Sequence, residues 1–169
     1  MRDQKRNLES VYYRPLLRVE DKTDSDGFVT GENIRVFGDV SEIRMNVSPP
    51  KSALNQRGYS TESFGIDIDF DRKLVNFGKC PIEETSMIWI GFHRGIKAYS
   101  STRTYNVGEY VSKDGSIYEC STPVTPPESF NISHWEECKP NYIVKSVAKD
   151  ARHGGGNTVL IKEVPLNAD

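Results

Sequence analysis

The feature that most constrains the fold of this sequence is a strand pattern that stops at residue 92 and resumes at residue 141. Before the break, apolar and polar residues alternate as they do in half-buried β-strands, and strand-like sequence returns in Tyr142–Ala148. The intervening residues 93–140, here called the insert, have a different character. Domains tolerate insertions at exposed loop tips when the ends of the inserted module lie close together. The pattern therefore predicts one small domain inserted into another.

The charge composition gives no general preference for one class of partner. The 169 residues include 22 Lys and Arg against 24 Asp and Glu, for a formal net charge of -2. This balance gives no global attraction to nucleic acids or membrane surfaces. No apolar run approaches the ~20 residues that span a bilayer, and the polar N-terminus lacks a signal core. We therefore expect synthesis in the cytosol and no membrane partner.

Two segments outside the insert carry clear strand patterns. In Glu42–Ser48, Ile43, Met45 and Val47 alternate with polar residues, which predicts a half-buried strand. In residues 64–71, the apolar members alternate with Gly65 and three carboxylates, so one face is apolar and the other acidic.

Other signals define the connections and the covered strands. Asp21–Gly31 is dense in turn-forming residues and predicts a hairpin connection. Met87–Ile90 is an unbroken apolar run, which is typical of a strand covered on both faces. No segment has the pattern of an amphipathic helix.

Together these signals predict an all-β fold with three parts. Residues 1–10 form an N-terminal arm, and residues 11–92 with 141–169 form a discontinuous small β-barrel or sandwich of about six or seven strands. Residues 93–140 form an inserted three-stranded β mini-domain.

The β domain also has a recognisable order of short motifs. They are Asn46-Val47-Ser48, Phe64-Gly65-Ile66, Phe70-Asp71-Arg72, Pro81-Ile82-Glu83-Glu84, Ile88-Trp89-Ile90 and Tyr142-Ile143-Val144-Lys145-Ser146-Val147-Ala148. This order resembles the small head-tail connector proteins of long-tailed bacteriophages and prophages, the head-closure or stopper group. The resemblance covers about residues 11–92 and 141–164. In that family a brief polar loop usually stands where this chain carries its insert.

The resemblance implies a non-enzymatic structural protein of the virion neck, assembled in the bacterial host cytoplasm. Its subunits form a β-barrel ring of about six or twelve copies between the portal and adaptor proteins and the tail. The ring retains packaged double-stranded DNA in its channel and docks the tail. A tail terminator or tail-completion subunit is the alternative within the same particle.

Residues 51–63 form a long polar segment without periodicity, containing Lys51, Asn55, Arg57 and Gly58. Such loops are uncommon in compact domains unless they are functional or disordered. In a connector ring, copies of this loop would converge in the lumen and act as a gate that obstructs DNA. A surface loop without that role is an equally open interpretation.

The acidic row Asp67, Asp69 and Asp71 has two interpretations. It could line the DNA channel, where carboxylates repel phosphates and let DNA slide. It could also be an ordinary solvated strand face paired with Arg72 and Lys73, the interpretation that we favour. A divalent cation site is disfavoured, because a straight strand spaces these side chains ~7 Å apart per step.

The insert has its own motif order. Tyr99, the segment Tyr105–Val111, the hairpin signal Asp114-Gly115, Tyr118 and Trp135 follow one another. This order is similar to small carbohydrate-binding modules attached to chitinases and cellulases. The resemblance implies that Tyr99, Tyr118 and Trp135 are candidates to face a carbohydrate, since flat rings stack on sugars.

If the insert contacts carbohydrate, a host surface glycan would be a partner of the neck protein. A further alternative to the neck assignment is that the whole chain is a carbohydrate-binding protein. We favour a structural decoration of the neck, because so small a module needs Tyr118 and Trp135 for its own core.

No catalytic or metal-binding constellation is evident in the sequence. The histidines His93, His134 and His153 are isolated, and nucleophile-elbow, HExxH and P-loop spacings are absent. Three cysteines without a CxxC pair predict free thiols. We therefore expect no enzymatic activity, cofactor or metal.

Overall fold

A computed structural model describes residues 8–50, 69–149 and 156–165. Within this part of the chain the fold is all-β, as predicted, and its helical content is one 3-10 turn at Ile132–His134. The described residues form twelve strands. They are β1 (Leu8–Arg14), β2 (Leu16–Thr23), β3 (Val29–Phe37), β4 (Ser41–Val47), β5 (Arg72–Asn76), β6 (Met87–Ile90), β7 (Lys97–Ala98), β8 (Tyr110–Lys113), β9 (Ser116–Cys120), β10 (Trp135–Cys138), β11 (Tyr142–Ala148) and β12 (Asn157–Glu163).

Six strands form a closed barrel in the order β1-β4-β5-β12-β11-β6. Every neighbouring pair is antiparallel, and β6 closes the barrel on β1 with Tyr12 opposite Trp89. The predicted barrel and its strand number are therefore confirmed. Closure pairs the backbone groups that an open sheet would leave at its edges.

The barrel core explains the apolar run of β6. Ile88 and Ile90 pack inside the barrel, whereas Trp89 between them packs against the insert. The strand is thus covered on both faces, which is why it lacks polar alternation. The remaining buried members of the barrel core are Val11, Tyr13, Met45, Leu74, Cys80, Ile82, Tyr142, Val144, Val159 and Ile161.

The strands of the insert form a four-stranded sheet in the order β10-β9-β8-β7. β8, β9 and β10 make the antiparallel meander expected of the mini-domain, and the two-residue β7 adds a short parallel strand beside β8. Asp114 and Gly115 connect β8 to β9 with φ values of 49° and 79°. Two positive φ values in a two-residue connection suit the twist of a hairpin, as the Asp-Gly signal predicts.

The strands β2 and β3 form a separate two-stranded ribbon, here called the hairpin arm, residues 16–37. The turn lies at residues 24–28, inside the segment whose composition predicts a connection. Its register shifts between Leu16 and Arg18 and again between Asp21 and Thr23.

Two strand boundaries differ from the prediction. β1 begins at Leu8, so residues 8–10 belong to the barrel and not to the predicted N-terminal arm of residues 1–10. Residues 64–68 lie outside the described part of the chain, and Asp69–Asp71 precede β5 instead of belonging to a strand. β5 itself was not evident in the sequence, because Leu74 is its one fully buried residue. A single buried position gives no alternation to detect.

Candidate functional site

The barrel and the insert share a small core of their own. Tyr12 of β1, Trp89 of β6 and Ile117 of β9 are at most 2% exposed and pack together. Since burial of such large side chains supplies much of the stability of a small domain, this contact holds the insert in a fixed position on the barrel. The insert is a packed part of the fold and not a tethered appendage.

Hydrogen bonds reinforce the junction where the chain enters the insert. The Tyr12 hydroxyl donates to the His93 carbonyl oxygen at 2.8 Å and accepts from the Ile96 N–H at 3.0 Å. Burial raises the pKa of Tyr12, so its hydroxyl keeps the proton that it donates.

The chain is also fixed where it leaves the insert. The Trp89 indole Nε1–H donates to the Cys138 carbonyl oxygen at 2.7 Å. The Asn141 amide then accepts from the Ile90 N–H at 3.0 Å and donates to the Ile90 carbonyl oxygen at 2.9 Å. Both ends of the insert are therefore held against β6.

A third contact involves the β8–β9 turn. Arg14 donates to the Gly38 carbonyl oxygen at 3.0 Å, and its guanidinium lies 5.3 Å from the centroid of the Phe37 ring. A Cβ atom at Gly115 would stand 2.5 Å from Arg14 Nε. The guanidinium thus packs directly on the backbone of Gly115, and a side chain at this position would displace it.

The hairpin arm carries an unusual number of exposed apolar side chains. In the described part of the chain, five of the eight large hydrophobic residues that are clearly exposed belong to it. They are Leu17, Val19, Phe28, Val29 and Ile34. An isolated two-stranded ribbon is marginally stable in water, and concentrated apolar exposure is typical of a surface that another molecule covers.

The tip of the arm is acidic and is held by local hydrogen bonds. Asp24 Oδ1 accepts from the N–H groups of Asp26 at 3.0 Å and of Phe28 at 2.8 Å. This Asx-type arrangement holds the turn while the Phe28 ring stays 72% exposed. Residues 21–32 contain four carboxylates and one ammonium group, which gives this segment a formal charge of -3. The four are Asp21, Asp24, Asp26 and Glu32, and the ammonium is that of Lys22, which pairs with Glu32.

A second surface of opposite charge lies at the junction. A groove of about 290 Å³, here called the basic groove, is lined by His93, Arg94, Lys97 and Arg103, with Glu109 as its one carboxylate. Within the described residues, the three Arg and Lys side chains form no ion pair; Arg103 lies 5.5 Å from the Tyr105 ring centroid.

Two nearby carboxylates already accept backbone hydrogen bonds. Glu109 accepts from the Asn106 N–H at 2.6 Å, and Glu42 beside the groove accepts from the Gly95 N–H at 3.0 Å. The groove lining keeps an excess of positive charge, with Arg94, Lys97 and Arg103 against Glu109.

The three residues singled out for carbohydrate contact belong to one aromatic cluster. Trp135 is 5% exposed, and Tyr99 and Tyr118 are half-buried and pack against it or its neighbours. The Tyr99 and Tyr105 rings stack at 5.3 Å, and Tyr99 meets Trp135 edge-on at 5.6 Å. This packing favours the interpretation of the rings as the core of the mini-domain, and carbohydrate contact stays a prediction.

Tyr99 nevertheless has one open side. It lines a cavity of about 410 Å³ between the insert and the Asp39–Val40 connection. Its hydroxyl donates to the Glu128 carbonyl oxygen at 2.7 Å, and burial raises its pKa. Of the three candidate rings, Tyr99 lines this cavity.

The acidic row is only partly described. Asp67 and the gating-loop residues Lys51, Asn55, Arg57 and Gly58 lie outside the described residues. Asp69 pairs with Lys162 of β12, which raises the pKa of that lysine. Asp71 accepts from the Glu163 N–H at 2.7 Å. The two described carboxylates thus contact the end of β12, and a channel-lining role stays a prediction.

Two kinds of feature are absent from residues 8–50, 69–149 and 156–165. No group of three or more His, Cys, Asp or Glu side chains in these ranges is placed to hold a metal ion. The same ranges contain no helix of the length and apolarity needed to cross a bilayer.

Neither charged surface was predicted from the sequence, although each has a signal there. From Thr85 to Gly108 the chain contains no Asp or Glu, yet it carries Arg94, Lys97 and Arg103. The arm tip shows the opposite bias. Segments of one sign within a nearly neutral chain are the pattern that indicates local electrostatic recognition.

No family model, curated protein or solved structure matches this chain. Its functional assignment therefore depends on the surfaces described above and on the motif resemblances.

Proposed function

We propose that this chain is a structural, non-enzymatic subunit of the phage neck, a head-closure or stopper protein that forms a ring between the portal–adaptor assembly and the tail. The observation that carries the proposal is the hairpin arm, which exposes five large apolar side chains on an otherwise closed barrel. Exposure of this kind is costly for an isolated protein and is expected of a subunit covered by neighbours.

The fold supports the same assignment. The motif resemblance implies a β-barrel subunit, and the chain has a closed six-stranded barrel. Closure leaves the barrel without free strand edges for pairing with another chain. In the described part of the chain, the arm and the insert are the elements that lie outside the barrel sheet.

The rigid junction gives the insert a definite role in this proposal. Its packing through Tyr12, Trp89 and Ile117 fixes its direction relative to the barrel. Repeated around a ring, it forms a regular decoration on the outer surface of the neck. In this proposal residues 51–63 face the DNA channel, whereas Asp69, which pairs with Lys162, fits the solvated strand face that the sequence favours.

The experiment that tests the proposal is electron microscopy of virions that carry a peptide tag after Asp169. Antibody label in a ring at the neck is the expected result. Label at the tail tip, or particles without label, would contradict the assignment. A ring at the upper end of the tail in particles that lack heads would instead indicate the tail terminator or completion subunit.

A carbohydrate-binding protein is the second candidate, favoured by the access of Tyr99 to the cavity of about 410 Å³. Retention of the purified monomer on chitin or peptidoglycan, abolished by Tyr99→Ala and kept by Phe77→Ser, would support it. Under the neck assignment we expect the chain to pass through both matrices.

A further inference from the structure

We propose that the acidic tip of the hairpin arm of one copy docks in the basic groove of a neighbouring copy. This inference rests on the proposed ring function and specifies how adjacent subunits hold one another. The occupant of the groove is thus a second copy of this chain.

Charge complementarity is the first argument. Residues 21–32 carry a formal charge of -3, whereas the groove lining presents three Arg and Lys side chains against Glu109. The tip carboxylates Asp21 and Asp26 and the groove cations form no ion pair within the described residues. Complementary patches of this kind steer association and set its register.

An apolar anchor is the second argument. Phe28 projects from the tip with 72% of its surface exposed, between the charged residues. The groove lining also includes the apolar and aromatic residues Ile96, Tyr110 and Val111. A groove of about 290 Å³ suits a compact side-chain anchor better than an extended polymer. A central ring surrounded by charge pairs is a common arrangement for an interaction hot spot.

Symmetry is the third argument. The tip and the groove are different surfaces of the same chain, so their contact joins copies head to tail. Head-to-tail contacts close into rings when the rotation between copies allows it. A symmetric contact between two arms would stop at a dimer.

The first test is a charge exchange in the full-length chain, with self-association measured by sedimentation velocity in low salt. Asp26→Arg and Arg94→Asp should each weaken association about tenfold, and the double variant should recover most of the loss. Phe28→Ser should also weaken it. The matched controls are Lys145→Glu and Phe77→Ser, which alter an exposed charge and an exposed ring elsewhere. Equal loss in the controls, or no recovery in the double variant, would overturn the docking.

The second test does not depend on a stable complex. The photoreactive amino acid benzoylphenylalanine replaces Phe28, and concentrated protein is irradiated and mapped by mass spectrometry. Cross-links from the tip to residues 93–111 of another copy are expected. Cross-links confined to other surfaces, or none between copies, would overturn the docking. The neck assignment is decided separately by the virion label, so the two ideas can fail independently.

Discussion

The indole Nε1–H of Trp89 donates a 2.7 Å hydrogen bond to the carbonyl oxygen of Cys138, and this contact ties the wall of the barrel to the last strand of the insert. Trp89 is 1% exposed, so the donor has no access to water. A buried donor of this kind needs its partner, and the partner comes from 49 residues further along the chain. The insert is therefore part of the folding unit.

Trp89→Phe should destabilise the protein through the loss of this hydrogen bond as well as ring area. The hydrogen bond accounts for about 1–2 kcal/mol of the expected change in the free energy of unfolding, measured in urea. The matched control is Trp135→Phe, because Trp135 Nε1 is buried without a partner in the described part of the chain. If Trp135→Phe and Trp89→Phe lower the free energy of unfolding equally, the hydrogen bond between Trp89 and Cys138 makes no specific contribution to stability.

Gly115→Ala should loosen the insert from the barrel for two reasons. The position has a φ of 79°, and a Cβ atom there would lie 2.5 Å from Arg14 Nε. Gly108→Ala separates the two effects, since Gly108 has a φ of 84° with open space around it. The control should cost about 1–2 kcal/mol from backbone strain alone, and Gly115→Ala should cost more. Equal shifts in thermal midpoint would mean that the Arg14 contact contributes nothing.

Cys138 should react slowly with alkylating reagents in the folded protein. Burial, followed by the nearby Glu119 and Glu136, raises the pKa of its thiol from 9.0 to about 11. At pH 8 the thiolate fraction is then about a hundredfold lower than in the unfolded chain. Peptide mapping after iodoacetamide treatment, with and without urea, measures the ratio. Comparable rates in both states would show that the thiol is not shielded.

The same shift has a consequence for stability. The folded state binds the Cys138 proton more tightly, so the stabilisation is complete below pH 9 and declines as the pH rises from about 9 to about 11. Cys138→Ala should reduce the slope of the free energy of unfolding against pH in this window. An unchanged slope would show that other titratable groups cause the loss of stability at alkaline pH.

Asn141→Asp should weaken the point where the chain leaves the insert. The aspartate keeps an oxygen for the Ile90 N–H but loses the amide donor to the Ile90 carbonyl oxygen. The expected loss is about 1–3 kcal/mol, because a carboxylate then faces a carbonyl oxygen. Asn106→Asp, at an exposed turn residue, is the control for the added charge. Hydrogen exchange of the Ile90 amide should accelerate in the Asn141 variant alone.

Local patterns were sufficient to predict much of the architecture. The alternation around Met45 located β4, and the turn composition near Asp24 located the connection of the hairpin arm. The Asp114-Gly115 pair located the β8–β9 turn. Each of these signals involves residues that are neighbours in sequence, so backbone preference and side-chain period determine the outcome.

Other features depended on contacts between distant residues. β5 has one buried residue, Leu74, and becomes a strand because β4 and β12 pair with it on either side. The functional surfaces show the same dependence. Arg103 joins Arg94 and Lys97 at one groove only after the insert folds back on its own entry segment.

The sequence by itself therefore determined the all-β class and the main turns, because these follow from short-range periodicity and from residues that adopt positive φ. The tertiary structure alone decided the closure of β6 on β1, the shared core around Trp89 and the choice of exposed side chains. Those features depend on which strand faces stay uncovered once all the strands are paired. The pairing itself depends on contacts between residues that lie far apart in the sequence.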